Sequence, residues 1–188
     1  MKICIDPGHH VSVKGKRSPQ VPPGIIEWEF DMSVALCLEE LLIESGHDAF
    51  RTMQISEPKN KTLKARAAMG ADADMNISIH ANAARGVGWS KANGFVVRYK
   101  RWSGRSMAKA IAASIRKNIP EIKPRFGGYI FDPIRTGAIT GKKPSCLVEC
   151  GFMTNKIEAS ILADPQTPKR FARAIAEAVL AEFERKTK

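Results

Sequence analysis

Short apolar runs alternate with amphipathic segments along the whole chain. The run at residues 2–6 (KICID) stops at a Pro-Gly pair, which predicts a buried strand followed by a loop. Other runs are apolar and partly β-branched, and they predict strands over 48–52, 75–80, 94–99 and 146–149, the first of these being the weakest.

Helical periodicity fills the intervals between these runs. Phe30, Val34 and Leu38 fall on one face of a predicted helix over residues 27–45. Further helices are predicted over 61–69, over 103–119 and from about Pro168 onward, with Thr167 as the last helix's N-cap. The alternation predicts an α/β fold with a single mixed, twisted β-sheet and helices on both faces.

Composition narrows the class of protein. The 188 residues suit one domain, and 44% hydrophobic residues are too many for a disordered chain. No apolar run approaches the roughly 18 residues that a membrane span needs. The four cysteines form no CxxC pair and are expected to be buried free thiols. Lys+Arg 30 against Asp+Glu 19 gives a net charge of +11, which indicates an anionic partner such as nucleic acid, acidic lipid or cell wall.

The ends of the predicted strands carry the candidate chemistry. In an open α/β sheet, ligands gather beyond the carboxyl ends of the strands. The first strand runs into His9, the strand at 75–80 ends at His80, and Glu27 opens the first helix. Two imidazoles and a carboxylate suit zinc and leave one coordination position for water. Glu149, which ends an apolar strand, would then be free for proton transfer.

Each of these residues also has an ordinary structural explanation. A histidine at a strand end is often only solvated or hydrogen-bonded, and an acidic residue such as Glu27 is favoured in a first helical turn by the helix dipole. Glu149 is harder to explain this way, because an ionised carboxylate is costly to bury without a partner.

Four stretches together resemble a known family. IDPGHH, EWEFDMSVALCLEELL, NISIHANA and LVECGFMTN occur in this order and are similar to the conserved stretches of the zinc-dependent N-acetylmuramoyl-L-alanine amidases of the amidase-3 type. The resemblance implies that zinc is bound by His9, Glu27 and His80, that Glu149 is catalytic, and that Asn82 and Arg135 contact the substrate. An LxxR pattern of the family is matched by Leu63 and Arg66.

The match has departures. His10 follows His9 where the family has a small residue, so residue type alone does not settle which histidine binds the metal. Glu29 is a second carboxylate near Glu27, although the downstream pattern aligns better with Glu27. The Thr-Arg pair expected after the second strand appears as Thr52-Met53.

The resemblance implies a peptidoglycan hydrolase that cleaves the amide between N-acetylmuramic acid and L-alanine. Zinc would activate a water molecule, and Glu149 would take its proton and pass it to the leaving amine. The positive charge would then attract anionic wall polymers, with no role in nucleic-acid binding or stable membrane insertion. Two alternatives stay open: a zinc peptidase or deacylase acting on another amide, and a non-catalytic basic binding protein.

The sequence also leads to expectations about domain organisation and cellular location. We expect residues 1–188 to form a single catalytic domain without a separate wall-binding module. The first residues do not form a secretion signal, so we expect synthesis in the cytoplasm and release to the wall by lysis machinery such as a holin, as in a phage or prophage endolysin. Two segments, 84–92 and 120–128, are candidate loops along the substrate groove, although ordinary surface loops have similar compositions.

Overall fold

A computed structural model describes residues 1–132 and 144–187. Its strands are β1 (Lys2–Pro7), β2 (Asp48–Arg51), β3 (Met75–Asn82), β4 (Phe95–Tyr99), β5 (Pro124–Phe131) and β6 (Ser145–Phe152). Its helices are α1 (Glu27–Glu44), α2 (Leu63–Met69), α3 (Trp102–Asn118), α4 (Lys156–Leu162) and α5 (Thr167–Thr187).

The strands form one six-stranded sheet in the order β2-β1-β3-β6-β4-β5. The first four strands in this order are parallel, whereas β4 runs antiparallel to β6 and parallel to β5. The predicted mixed sheet is therefore confirmed. Because β1, β3 and β6 are parallel neighbours, their carboxyl ends lie side by side at one edge of the sheet.

Helices cover both faces of the sheet, as predicted. On one face α5 packs between α1 and α3, where the rings of Phe30 and Phe171 lie 6.1 Å apart. Ile5 and Ile77 belong to this core. Side chains alternate along a strand, so Asp6 points to the other face, where it contacts Arg66 of α2.

Two elements were absent from the sequence-based prediction. The expected loop over 120–128 contains the start of β5, an edge strand with two glycines and a register shift against β4, features that obscure a strand pattern. Helix α4 has seven residues, too few for a clear period, and the Asn155 side chain caps it by accepting from the amides of Ile157 and Glu158.

The cysteine side chains and the helices bear on two further expectations from the sequence. Cys4, Cys146 and Cys150 are buried, Cys37 is half-buried, and all four are free thiols, as predicted. Within the described residues, no helix combines the length and apolar character needed to cross a bilayer.

Candidate metal centre and neighbouring cavity

Three of the predicted site residues meet at the carboxyl edge of the sheet. His9 Nε2 lies 3.4 Å from Glu27 Oε1, and His80 Nδ1 lies 3.2 Å from the same oxygen. The two imidazole rings are 5.1 Å apart and nearly perpendicular. One donor atom from each of the three residues lies within 4.8 Å of the others, so a single ion could contact all three.

The turn after β1 brings His9 to this position. His9 has a φ of 54°, in the left-handed region that residues with a side chain seldom adopt. A Cβ at Gly8 would lie 2.5 Å from both Asp31 Oδ2 and His80 Nδ1, so only glycine fits there. The amide of Gly8 donates to the carbonyl of Ile79 over 2.8 Å, which ties the turn to β3.

A buried carboxylate, Asp6, supports the same turn. Asp6 accepts hydrogen bonds from Thr52 Oγ1 (2.5 Å), Ser78 Oγ (2.8 Å) and Arg66 Nη1 (3.1 Å). Arg66 also donates to the carbonyl oxygens of Pro7 and His9. Arg66 of the LxxR pattern and Thr52 therefore hold the segment that carries His9.

The structure separates the residues that sequence alone left ambiguous. His10 is buried away from the cluster, with Nδ1 2.8 Å from Ser12 Oγ and Nε2 3.0 Å from the carbonyl of Glu57. Glu29 is exposed on α1. His9 and Glu27, and not these neighbours, join the cluster.

The charges around Glu27 suit the binding of a metal ion. Burial would raise the pKa of Glu27, but hydrogen bonds from His80 and His9 outweigh burial and lower the pKa to about 2. Burial would lower the pKa of His80, but Glu27 raises it above the ordinary value. Glu27 Oε2 is buried and has no hydrogen-bond partner in the described part of the chain. An unsatisfied carboxylate oxygen beside two imidazoles fits a divalent cation such as zinc.

A second acidic residue, Asp31, lies one helical turn beyond Glu27. It is fully buried, and neither carboxyl oxygen has a hydrogen-bond partner among the described residues. Burial, followed by the charges of Glu27 and Glu149, raises the pKa of Asp31 well above its usual range. The sequence alone predicts no role for Asp31, although its i,i+4 spacing from Glu27 places both on one face of α1.

Glu149 stands beside the cluster. It pairs with His80 across β3 and β6. Arg98 Nε lies 3.4 Å from Glu149 Oε1, and Arg98 Nη1 lies 2.6 Å from Asp132 Oδ2. Sequence reasoning missed Arg98, yet a charged residue within the apolar run GFVVRY was a usable signal, because a buried charge needs a partner.

A cavity of about 810 Å³ adjoins Glu149 through Arg98, which lines the cavity and contacts the Glu149 carboxylate. Both predicted groove segments contribute to its wall, the first through Ala84, Arg85 and Ala92 and the second through Arg125 and Phe126. Asn82 also lines it, together with Arg98, Asp132 and Phe152. The other predicted substrate residue, Arg135, lies outside the described residues.

A sheet edge with two imidazoles, a buried carboxylate and a further carboxylate beside a polar cavity is the arrangement of a hydrolytic enzyme with a candidate metal centre. The model of the Amidase_3 family, described as N-acetylmuramoyl-L-alanine amidase, matches residues 3–181. The chain therefore belongs to this family and is a peptidoglycan hydrolase.

The individual proteins that this chain resembles include N-acetylmuramoyl-L-alanine amidases. The germination-specific N-acetylmuramoyl-L-alanine amidase of Bacillus subtilis (strain 168) is 27% identical over 203 residues, which cover 98% of this chain and 80% of that protein. The amidase LytC of the same organism is 29% identical over 193 residues, 96% of this chain and 35% of that protein. The structure of the amidase AmiC2 of Nostoc punctiforme matches with a TM-score of 0.83 and 25% identity, covering 98% of this chain and 97% of that one.

Proposed function

We propose that the protein is a zinc-dependent amidase that cleaves the bond between N-acetylmuramic acid and L-alanine, with His9, Glu27 and His80 as zinc ligands. The observation that carries the zinc proposal is the convergence of two imidazoles on the buried carboxylate of Glu27, which has one oxygen without a partner. A His₂Glu set leaves a coordination position open, which is typical of catalytic zinc.

A bound zinc ion supplies Lewis-acid chemistry, namely activation of a water molecule and polarisation of the scissile carbonyl. Glu149 is the proposed general base. Its side chain is 13% exposed, and it projects from β6 next to His80 on β3. In this role its carboxylate takes the proton of the attacking water and delivers it to the amine of L-alanine as the amide bond breaks. Arg98 restrains one carboxylate oxygen of Glu149.

Substrate contacts are proposed along the adjoining cavity. Asn82 ends β3 two residues after His80 and lines the cavity wall, where its amide could bind a polar group of the substrate. A substrate contact by Arg135 stays a prediction from the family resemblance.

The experiment measures new N-terminal alanine released from purified peptidoglycan. We expect release by the wild type, its loss after treatment with a zinc chelator, and recovery when zinc is returned. Glu149→Gln retains the side chain's shape but not its basicity and should lower the rate by at least about 10²-fold. Glu29→Gln removes a carboxylate from the exposed side of α1 and serves as the control. Release that survives chelation, or equal rates in Glu149→Gln and wild type, would refute the mechanism.

The cell wall is the proposed place of action. A net charge of +11 supports attraction to anionic wall polymers. Release through a membrane lesion, as for a phage or prophage endolysin, stays a prediction from the sequence. Expression inside a bacterial cell with and without a holin tests it, since lysis should require the holin, and lysis without it would contradict the prediction.

A further inference from the structure

Three arginines, Arg85, Arg98 and Arg125, are among the described residues that line the cavity beside Glu149. Asp132 is the acidic residue among its described lining residues, so the described part of the lining carries a net charge of +2 (three positive charges and one negative). Such a surface favours an anionic ligand.

The three arginines are not equivalent. Arg98 is buried and already paired with Glu149 and with Asp132. Its charge is therefore largely balanced by the protein itself. Arg85 is exposed and makes no hydrogen bond or ion pair with the residues that the structure describes.

Arg125 contacts two aromatic rings, while most of its donors have no partner among the described residues. Its guanidinium lies 5.0 Å from the ring of Phe126 and 5.3 Å from the ring of Phe152. Nη1 donates to the carbonyl of Asn93 over 3.3 Å. A guanidinium fixed by aromatic rings loses little freedom when it binds a ligand.

The nearby carboxylate of Glu158 does not neutralise Arg125 through an ion pair. Glu158 accepts backbone hydrogen bonds from Gly94 on Oε1 and from Phe152 on Oε2, each of 2.7 Å. Among the described residues, no carboxylate lies within 4.0 Å of the Arg125 guanidinium.

The backbone around Arg125 is also constrained. Phe126 has a φ of 52°, an unusual value for a residue with a side chain. A Cβ at Gly94 would lie 3.2 Å from Arg125 Cβ and 2.8 Å from the carbonyl oxygen of Lys123. Strained backbone of this kind clusters at ligand sites, and here it places Arg125 and Phe126 together on the cavity wall.

We propose that Arg125, assisted by Arg85, binds a free carboxylate of the stem peptide, on the residue that follows L-alanine. The proposal rests on the amidase function. The lactyl carboxyl of muramic acid is consumed in the scissile amide, so the carboxylates of the substrate lie on its peptide. A guanidinium fork binds a carboxylate through two parallel hydrogen bonds, which a carboxamide cannot accept equally. The enzyme should therefore prefer stems with a free carboxylate at this residue.

The test compares two muropeptides that differ only in a carboxylate or a carboxamide on the residue after L-alanine. For the wild type we expect kcat/KM to be about tenfold higher with the carboxylate, the scale of one charge-assisted hydrogen bond. The difference should lie in KM, since the contact is made before the reaction. Arg125→Gln should lower kcat/KM on the carboxylate stem about tenfold more than on the carboxamide stem, and so remove the preference.

Matched variants separate this contact from general charge and from folding. Arg116→Gln removes a positive charge from the exposed surface of α3 and should retain the preference. Arg85→Gln, which changes an exposed side chain, should weaken the preference by a smaller factor than Arg125→Gln.

Three results would overturn the proposal. In the first, the wild type cleaves both stems equally. In the second, Arg125→Gln and Arg85→Gln lower both rates in the same proportion. In the third, the stems are equivalent but a glycerol-phosphate wall polymer inhibits the wild type and not Arg125→Gln, which would assign the cavity to phosphate. Failure to cleave either stem would instead refute the amidase function.

Discussion

At the scale of single residues, the candidate site depends on the burial of Glu27. A carboxylate that is 2% exposed holds two imidazoles close to one oxygen while the other oxygen has no partner in the described chain. Without a cation, His80 gains a proton more readily because Glu27 raises its pKa. If His80 binds the proposed metal, a proton and the metal ion would therefore compete for the same imidazole.

This competition predicts a pH dependence of metal affinity. Because the pKa of His80 is raised, the proton begins to displace the metal at a higher pH than for an isolated imidazole, and zinc affinity falls as the pH decreases through that value. We expect a loss of up to about tenfold per pH unit for each proton taken up. Competition with a zinc indicator between about pH 8 and pH 6 measures it. Equal zinc affinities at both ends of this pH range would contradict the assignment of His80 as a zinc ligand.

Asp31 leads to a prediction about stability in the metal-free protein. Its raised pKa keeps it protonated when folded, whereas the unfolded chain ionises above about pH 3.9. Its contribution to the free energy of unfolding is complete at a pH below the pKa of Asp31 in the unfolded chain. That contribution is lost as the pH rises toward the pKa of Asp31 in the folded protein. Asparagine does not titrate, so Asp31→Asn removes this loss. The free energy of unfolding of the variant, relative to that of the wild type, should therefore increase by up to about 1.4 kcal/mol per pH unit above pH 4.

Chemical denaturation in the presence of chelator, at about pH 5 and about pH 7, measures the difference in the free energy of unfolding. Asp48→Asn at an exposed position is the control and should show no comparable trend. A difference between Asp31→Asn and wild type that does not change with pH would show that Asp31 ionises normally in the folded protein.

At the scale of elements, α2 and β1 cooperate to place His9. Arg66 on α2 donates to Asp6, Pro7 and His9, three groups that lie in or after β1. A short helix on the far face of the sheet thereby determines the path of the turn that carries His9. Supporting contacts of this kind typically change metal affinity by about 10–100-fold when they are removed.

Arg66→Lys tests this coupling. Lysine retains the charge beside Asp6 but lacks the planar fork that reaches several oxygens at once. We expect zinc affinity to fall by at least about tenfold, measured by indicator competition on protein whose folding is verified by circular dichroism. Lys64→Arg on the exposed side of α2 is the matched exchange and should retain wild-type affinity. Unchanged affinity in Arg66→Lys would show that the turn holds His9 unaided.

The sequence predicted the elements whose patterns are local. Strands β1, β3 and β6 could be predicted because they are buried apolar runs. His9, His80 and Glu149 could be predicted as site residues because ligands gather at strand ends. Arg98 could not be placed beside Glu149 in this way. Its position depends on β4 inserting antiparallel between β6 and β5, and chain order does not reveal strand order. The two glycines and the register shift of β5 explain why that strand was not predicted.

At the scale of the whole molecule, the excess of 11 positive charges is distributed over a chain whose candidate catalytic edge also carries arginines. Attraction of this kind acts over about a Debye length and weakens with salt. It would raise the rate of encounter with an anionic wall independently of the fit at the catalytic centre.

Binding to intact cell walls should therefore depend on ionic strength. Co-sedimentation of Glu149→Gln with walls, so that substrate is not consumed, should decrease several-fold between about 50 mM and about 500 mM salt. Walls stripped of anionic polymers should bind less protein and show a weaker salt effect. Binding that is insensitive to both treatments would show that net charge does not direct the enzyme to the wall.

The central claim is that His9, Glu27 and His80 bind one divalent ion while Glu149 stays free to move protons. The most direct test is the zinc content of the purified protein, by elemental analysis of wild type, His80→Ala and Glu149→Gln. We predict about one zinc per chain in wild type and in Glu149→Gln, and close to none in His80→Ala. Wild type without zinc under zinc-replete purification, or His80→Ala with a full equivalent, would contradict the claim.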